Sequence, residues 1–299
     1  MLTTFTLRDP VSQLAAQFVP AAGMIGISLA DDGVELLGQR RGLEAYVDAG
    51  KTMGIPILYP WANRLGERNY RVGDETVTLA PDAPGVRADA HGLPIHGLLA
   101  AFSGWQVTSS ADNELTAEVD FCAHPELIAS FPFPHRLTLT VTLAERALRM
   151  STTVTATGDK AVPLCFGFHP YLRLPGVPRS QWRIETPAMR HLAVDDRGIP
   201  TGASRAWPQT SEALGERTFD DGYDEVPSGA VFALSGGGRR IEVHLEQGYP
   251  AAQIFAPGAD DVVCFEPMAA PTDALRRGGY RIAEPGTPVT AVFTITVAS

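Results

Sequence analysis

The sequence predicts an all-β protein, a large antiparallel β-sandwich of two sheets. Three observations predict it. Apolar residues recur with a period of two along several runs, turn residues are spread over the whole chain, and a helical period of 3.6 is scarce. The 29 glycines and 24 prolines among 299 residues gather in no one stretch, as many short strands joined by many turns require.

In chain order, Asp32-Gly33 lies between GISLA and VELLG and reads as a tight hairpin. Gly73-Asp74 separates NYRV from ETVTL in the same way. Leu115, Ala117, Val119 and Phe121 form one alternating set. Leu137, Leu139, Val141 and Leu143 form a second, alternating with Thr138, Thr140 and Thr142, and residues 144–147 turn it into the next strand. Gly236-Gly237-Gly238 joins VFALS to RRIEVHL, whose Ile241, Val243 and Leu245 alternate again. Near the C-terminus Ala291, Phe293, Ile295 and Val297 alternate with Thr290, Val292, Thr294 and Thr296. A short turn at residues 273–277 is the best helical candidate. No internal repeat, low-complexity linker or composition break divides the chain, so residues 1–299 read as one domain.

Composition excludes several functions. The hydrophobic fraction of 44% supports a substantial core, and the charged fraction of 19% argues against disorder. A net charge of −10 argues against a general nucleic-acid binder and leaves no polybasic patch for a membrane surface. No run of about 18 apolar residues is present, so no membrane span is expected. The N-terminal stretch lacks a basic region followed by an apolar core, so no secretory signal is expected and the cytoplasm is the expected compartment. The three cysteines, Cys122, Cys165 and Cys264, form no CxxC pair and are odd in number. A disulfide framework or structural zinc site is therefore not expected, and each cysteine reads as a small buried hydrophobe.

Four places could carry chemistry. His96 closes the run His91-Gly-Leu-Pro-Ile-His96-Gly97, and His169 sits in Cys165-Phe-Gly-Phe-His169-Pro170-Tyr171. In both, glycine or proline interrupts a strand-like apolar run and puts an imidazole at a strand end or loop. Glu266 follows the apolar Val262-Val-Cys-Phe265 and precedes Pro267-Met268, where a carboxylate must be paired, shifted in pKa or turned to solvent. The acidic stretch Phe219-Asp220-Asp221-Gly222-Tyr223-Asp224 reads by itself as a surface turn, and its spacing does not match an EF-hand calcium loop. GxSxG, Walker, GxGxxG and HExxH templates are absent.

Taken in order, Asn63-Arg64, His96-Gly97, His169-Pro170, Asp220 and Glu266 resemble the aldose 1-epimerase (galactose mutarotase-like) family. The local strings are Pro56-Ile-Leu-Tyr-Pro-Trp-Ala-Asn63-Arg64-Leu65, Leu93-Pro-Ile-His96-Gly97, Phe168-His169-Pro170-Tyr171-Leu172 and Phe265-Glu266-Pro267-Met268, and the resemblance spans roughly residues 25–297. The Pro60-Trp61 and Glu266-Pro267-Met268 versions look like a shorter bacterial branch. The resemblance implies the galactose mutarotase-like supersandwich. It also implies an isomerase that interconverts the α and β anomers of a free aldohexose such as glucose or galactose, in carbohydrate metabolism.

The same resemblance assigns roles. Glu266 would take the proton of the C1 hydroxyl, His169 would protonate the ring oxygen O5, and His96 would assist there. Arg64 and Asp220 would hold sugar hydroxyls, with Asp221 and Asp224 close enough to replace Asp220, while Asn63 shapes the loop. Trp61, Trp105 and Tyr171 would either stack on a pyranose or fill the core. No metal and no cofactor is implied. The partner is a small aldose, with no nucleic acid or membrane, and the chain is expected as a monomer or homodimer. Ordinary pKa values of about 4.3 for Glu and about 6.5 for His place Glu266 on the acidic limb of a pH profile and His169 on the alkaline limb.

Three rivals follow. A hexose-6-phosphate 1-epimerase would need converging cations, for which Arg64, Arg68 and Arg87 are the candidates. A sugar-binding or sensor module on the same scaffold would not need both halves of an acid–base pair. A glycoside hydrolase would need two carboxylates across one bond.

Overall fold

The computed structural model describes residues 2–298. A nine-stranded antiparallel sheet runs from the edge strand Gln106–Ser110 to the edge strand Thr210–Ala213, with Val289–Ala298 at its centre. An eight-stranded sheet runs Pro200–Trp207, Met189–Val194, Phe219–Asp224, Ala251–Ala256, Val263–Met268, Gly167–Phe168, Ile57–Leu58, and Tyr171–Leu172 also pairs with Val263–Met268. A separate four-stranded sheet holds Phe5–Arg8, Leu14–Val19, Ile25–Asp31 and Val34–Glu35. This is the expected antiparallel all-β fold.

The alternation in the sequence is the alternation in burial. Leu137, Leu139, Val141 and Leu143 face the core of the nine-stranded sheet, and the intervening threonines face outward. The two large sheets meet through aromatic rings. Phe168 of one lies 4.9 Å from Phe293 of the other, and Phe265 lies 5.4 Å from Phe232. Each such buried side chain contributes about 1.5–3 kcal/mol. Because Phe168 and Phe265 point into this core, His169 and Glu266, the residues that follow them along extended chain, point to the opposite face.

All four expected hairpins form, at Asp32-Gly33, Gly73-Asp74, residues 144–147 and Gly236-Gly237-Gly238. The C-terminal strand differs from its reading. Val292 and Thr294 are buried on the outer face, where Thr294 pairs with Arg149 across the sheet and donates its hydroxyl to Glu246. The helical turn at Ala274–Arg277 forms, but so do Gly42–Ala49 and Pro125–Ser130, each too short for a helical period to show. Cys165 and Cys264 are buried as expected, whereas Cys122 is exposed. It lies in a 3-10 turn in which Phe121 takes the buried position and the Asp120 side chain accepts from the Cys122 N–H. Trp61 and Trp105 belong to the core. No helix among the described residues is long and apolar enough to cross a membrane.

The turn at Glu145-Arg146 shows how a side chain replaces glycine. Both residues adopt a left-handed backbone, at φ 52° and 61°, in a tight turn where Asn-Gly would be usual. The Asp9 carboxylate accepts from the Glu145 N–H at 3.1 Å and the Arg146 N–H at 2.8 Å. Asp9→Ala leaves both donors without that partner and should cost about 1–3 kcal/mol. Urea unfolding measures it, and an unchanged midpoint would show that the turn does not lean on Asp9.

Candidate active site

One row across the eight-stranded sheet assembles the chemistry. Gly167 pairs with Met268 and Tyr171 with Cys264 in a single register, so His169 falls directly opposite Glu266. On the other side of Glu266 the paired residue is Gln253, and beyond it Gly222. On the far side of His169 its N–H donates to the Pro56 carbonyl at 3.1 Å. His169 Nε2 lies 3.1 Å from Glu266 Oε1. Both residues are buried, at 5% and 2% exposed.

Two loops cover the row. Asn63, in a left-handed conformation that asparagine tolerates, accepts from the His96 N–H at 2.9 Å through its carbonyl, and the Leu65 N–H donates to the Pro94 carbonyl at 2.9 Å. Residue 97 must be glycine, because a Cβ there would lie 2.1 Å from the Tyr59 carbonyl oxygen. That approach sets the His96 ring edge-on to His169, with centroids 5.7 Å apart. Arg64 is held on two sides. Its Nε donates to Asp89 at 2.8 Å and its Nη1 to the Asn63 side-chain oxygen at 3.0 Å. Asp89 is itself fixed by the N–H groups of His91 and Leu93.

Strand alternation puts Asp221 on the face opposite Asp220 and Asp224. Asp221, on the face of Phe219 and Tyr223 but still partly exposed, pairs with His191 at 3.0 Å. Asp224 is gripped by Arg190 through two bonds of 2.7 Å. Asp220 accepts from Gln253 Nε2 at 2.7 Å, and Gln253 stands beside Glu266. A Cβ at Gly222 would lie 3.1 Å from Gln253 Oε1, so the glycine makes room for that side chain.

Tyr171 is 1% exposed. Its ring lies flat against His169, with centroids 4.3 Å apart and planes 10° apart, so the structure brings it to the histidine and not to open space. Each of the three arginines that a phosphate would need has protein partners, but Arg87 Nη1 stays buried without a partner among the described residues. Arg64 pairs with Asp89, Arg68 donates to the Leu79 and Ala80 carbonyls, and Arg87 donates to the Tyr46 and Ala100 carbonyls.

Burial dominates the electrostatics. It pushes Glu266 well above the ordinary carboxylate range, reinforced by the negative charge of Asp220 and opposed by Arg64. It pushes His169 well below the ordinary imidazole range, reinforced by His96 and Arg40. His96 is pushed down to about 3 by burial and then by Arg64 and Arg87. His96 is therefore a neutral hydrogen-bonding group near neutral pH, and His169 with Glu266 holds the proton of the site. Among the described residues no group of three or more His, Cys, Asp or Glu side chains is arranged to hold a metal ion.

Sequence reasoning missed Gln253, Asp89, Thr52 and Arg40. Gln253 left a signal, as the only polar residue of the buried strand Ala251–Ala256. The others sit in loops with no local pattern.

The model of the family described as aldose 1-epimerase matches residues 19–296. An aldose 1-epimerase of Escherichia coli K12 is 26% identical over 256 residues, covering 75% of this chain and 69% of that protein. The Escherichia coli K12 protein YihR is 30% identical over 149 residues, 48% of this chain, and the match spans 44% of YihR. Among solved structures, a galactose mutarotase-like protein from Clostridium acetobutylicum gives a TM-score of 0.83 at 18% identity over 96% of this chain and 93% of its own. A C. elegans homologue of GalM/aldose epimerase gives 0.81 at 18% identity over 100% and 99%. These structures share the fold. With the family match running from residue 19 to residue 296, the chain belongs to the aldose 1-epimerase family.

Proposed function

We propose that this protein is a mutarotase that interconverts the α and β anomers of a free aldohexose such as glucose or galactose. The observation that carries the reading is the buried His169–Glu266 pair, an acid and a base 3.1 Å apart. In a cyclic aldose the C1 hydroxyl and the ring oxygen share one carbon, so two groups this close can serve both. Glu266 takes the proton from the C1 hydroxyl while His169 gives one to O5. The C1–O5 bond breaks to a carbonyl, rotation about C1–C2 presents its other face, and the ring closes with the two proton transfers reversed.

After opening, the proton has moved from His169 to Glu266. Closure returns it, so the pair carries one proton throughout and their direct contact lets it redistribute without solvent. The neutral form favoured by burial is the form the pair has when the ring is open. The order along the row matches the order of the sugar. With O1 at Glu266 and O5 at His169, the C2 side of C1 runs toward Gln253 and Asp220, while C5 runs toward Pro56 and His96. Arg64 adds a planar donor from above. Polarimetry of freshly dissolved α-D-glucose, α-D-galactose and glucose 6-phosphate tests the reading. A rate no faster than the spontaneous one with any of them would reject it.

Glu266→Gln keeps the shape of the side chain but cannot accept the C1 proton. Its rate should fall about 10²–10⁴-fold. Retention of more than about a tenth of the wild-type rate would assign the base elsewhere.

The pH profile should be a bell with its limbs exchanged relative to ordinary pKa values. Activity needs one proton on the pair. Glu266 is raised, so loss of the shared proton, the alkaline limb, belongs to Glu266. His169 is lowered, so gain of a second proton, the acidic limb, belongs to His169. In His169→Asn the residual activity needs only ionised Glu266. The alkaline fall should vanish, leaving a single rise at higher pH than the wild-type acidic limb. A rise at the wild-type position, after subtraction of the spontaneous rate, would contradict the exchange.

A further inference from the structure

Nothing in the ring-opening chemistry explains what holds the His169 imidazole. Its Nδ1 is buried and has no hydrogen-bond partner among the described residues. A partner on that nitrogen is the usual way to fix a catalytic imidazole. The ring is instead fixed on its face by Tyr171, stacked at 4.3 Å. The Tyr171 hydroxyl lies 3.3 Å from His169 Nε2. Because the rings are parallel, the hydroxyl sits off the imidazole plane and does not take the in-plane direction of Nε2.

Tyr171 is in turn held from behind. Its hydroxyl is 2.6 Å from Thr52 Oγ1 and accepts from Arg40 Nη1 at 3.3 Å, and the Arg40 guanidinium lies 5.1 Å from the Tyr171 ring centroid. Arg40 is anchored by Asp260, which accepts from Nε at 3.0 Å and Nη2 at 2.9 Å. Arg40 and Thr52 flank the Gly42–Ala49 helix, and Asp260 lies in the loop before the Glu266 strand. Three loops thus converge behind one aromatic ring.

We propose that Arg40, anchored on Asp260 and acting through Tyr171, is a positioning residue that fixes the His169 imidazole and places a permanent positive charge behind it. The inference rests on His169 being the acid of the proposed mutarotase. A cation behind the imidazole disfavours its protonated form and makes that form a stronger proton donor to O5. The other ionisable groups facing His169 are Glu266 from the neighbouring strand, His96 from the covering loop and Tyr171 itself, with Asp220 and Arg64 acting on Glu266. None of these is altered by substitutions at positions 40 and 260.

The test compares Arg40→Gln, Asp260→Asn, Tyr171→Phe and Tyr171→Leu. Two readouts are used, the pH profile of kcat/KM and NMR titration of the His169 ring, assigned by its absence in His169→Asn. Arg40→Gln should move the His169 titration and the acidic limb up by about half a pH unit or more, and Asp260→Asn should move both down. Tyr171→Leu should lower kcat about 10-fold or more with KM nearly unchanged, and Tyr171→Phe, which keeps the ring, should lose much less. Opposite shifts in the two charge variants are not what loss of a surface ion pair would give. A His169 titration unmoved in both charge variants, or equal losses in both tyrosine variants, would overturn the proposal. If Arg40→Gln does not fold, the downward shift in Asp260→Asn decides. The NMR titration reads the same network even if polarimetry rejects mutarotation, so the two failures are distinguishable.

Discussion

Two ionisable groups buried 3.1 Å apart cannot titrate independently, and the whole site is arranged around that constraint. Both are almost wholly buried, so each resists carrying charge alone. The pair is stable with one proton, whichever member holds it. A single strand register creates this contact, because His169 and Glu266 face each other only if Gly167 meets Met268 and Tyr171 meets Cys264. A slip of one residue in either strand would turn its group into the aromatic core between the sheets. The inter-sheet contacts of Phe168 with Phe293 and Phe265 with Phe232 therefore hold the chemistry as well as the fold.

A sheet face is open by nature, so burial of the row requires a cover. The cover is built from backbone. The segment from Asn63 to Leu65 hydrogen-bonds to the segment from Pro94 to His96, and Gly97 lets the second segment press on Tyr59. The cover also carries Arg64, which Asp89 and Asn63 hold in place. Asn63 thus serves the site through its main-chain bond to His96 and its side-chain bond to Arg64.

The fold was legible because its strands are half-buried and alternate cleanly, as in the run from Leu137 to Leu143. The short helices at Gly42–Ala49 and Pro125–Ser130 were not, since fewer than about three turns carry no readable period. For the site, the aromatic–polar dipeptides Phe168-His169 and Phe265-Glu266 already announce one residue for the core and one for the opposite face. The choice among Asp220, Asp221 and Asp224 could not be made from spacing. It depends on which face of the strand meets Gln253 and on where His191 and Arg190 stand, facts of strand pairing. Arg40, Thr52 and Asp260 were invisible for a related reason. They come from separate loops and meet only because Tyr171 lies between them and His169. Cys122 misled because its neighbours are apolar while its own position lies in the 3-10 turn after a strand and faces outward.

Arg64 and Asp220 carry a further consequence of burial. Asp220 strengthens the hold of Glu266 on its proton and Arg64 weakens it, so the proposed base lies between opposed charges. The same two residues are the proposed holders of sugar hydroxyls. On that proposal a sugar seated between them would displace water and lower the effective dielectric around Glu266. Both influences on the base then grow together, and their balance is set by how the sugar divides its hydroxyls between a donor and an acceptor. Binding and proton affinity are thus coupled through two side chains. A sugar that satisfied Asp220 but not Arg64 would quench the charge that raises Glu266 and leave the one that lowers it, giving a weaker base. Discrimination among aldoses can then arise in the chemical step as well as in binding, although every aldose presents the same reacting carbon.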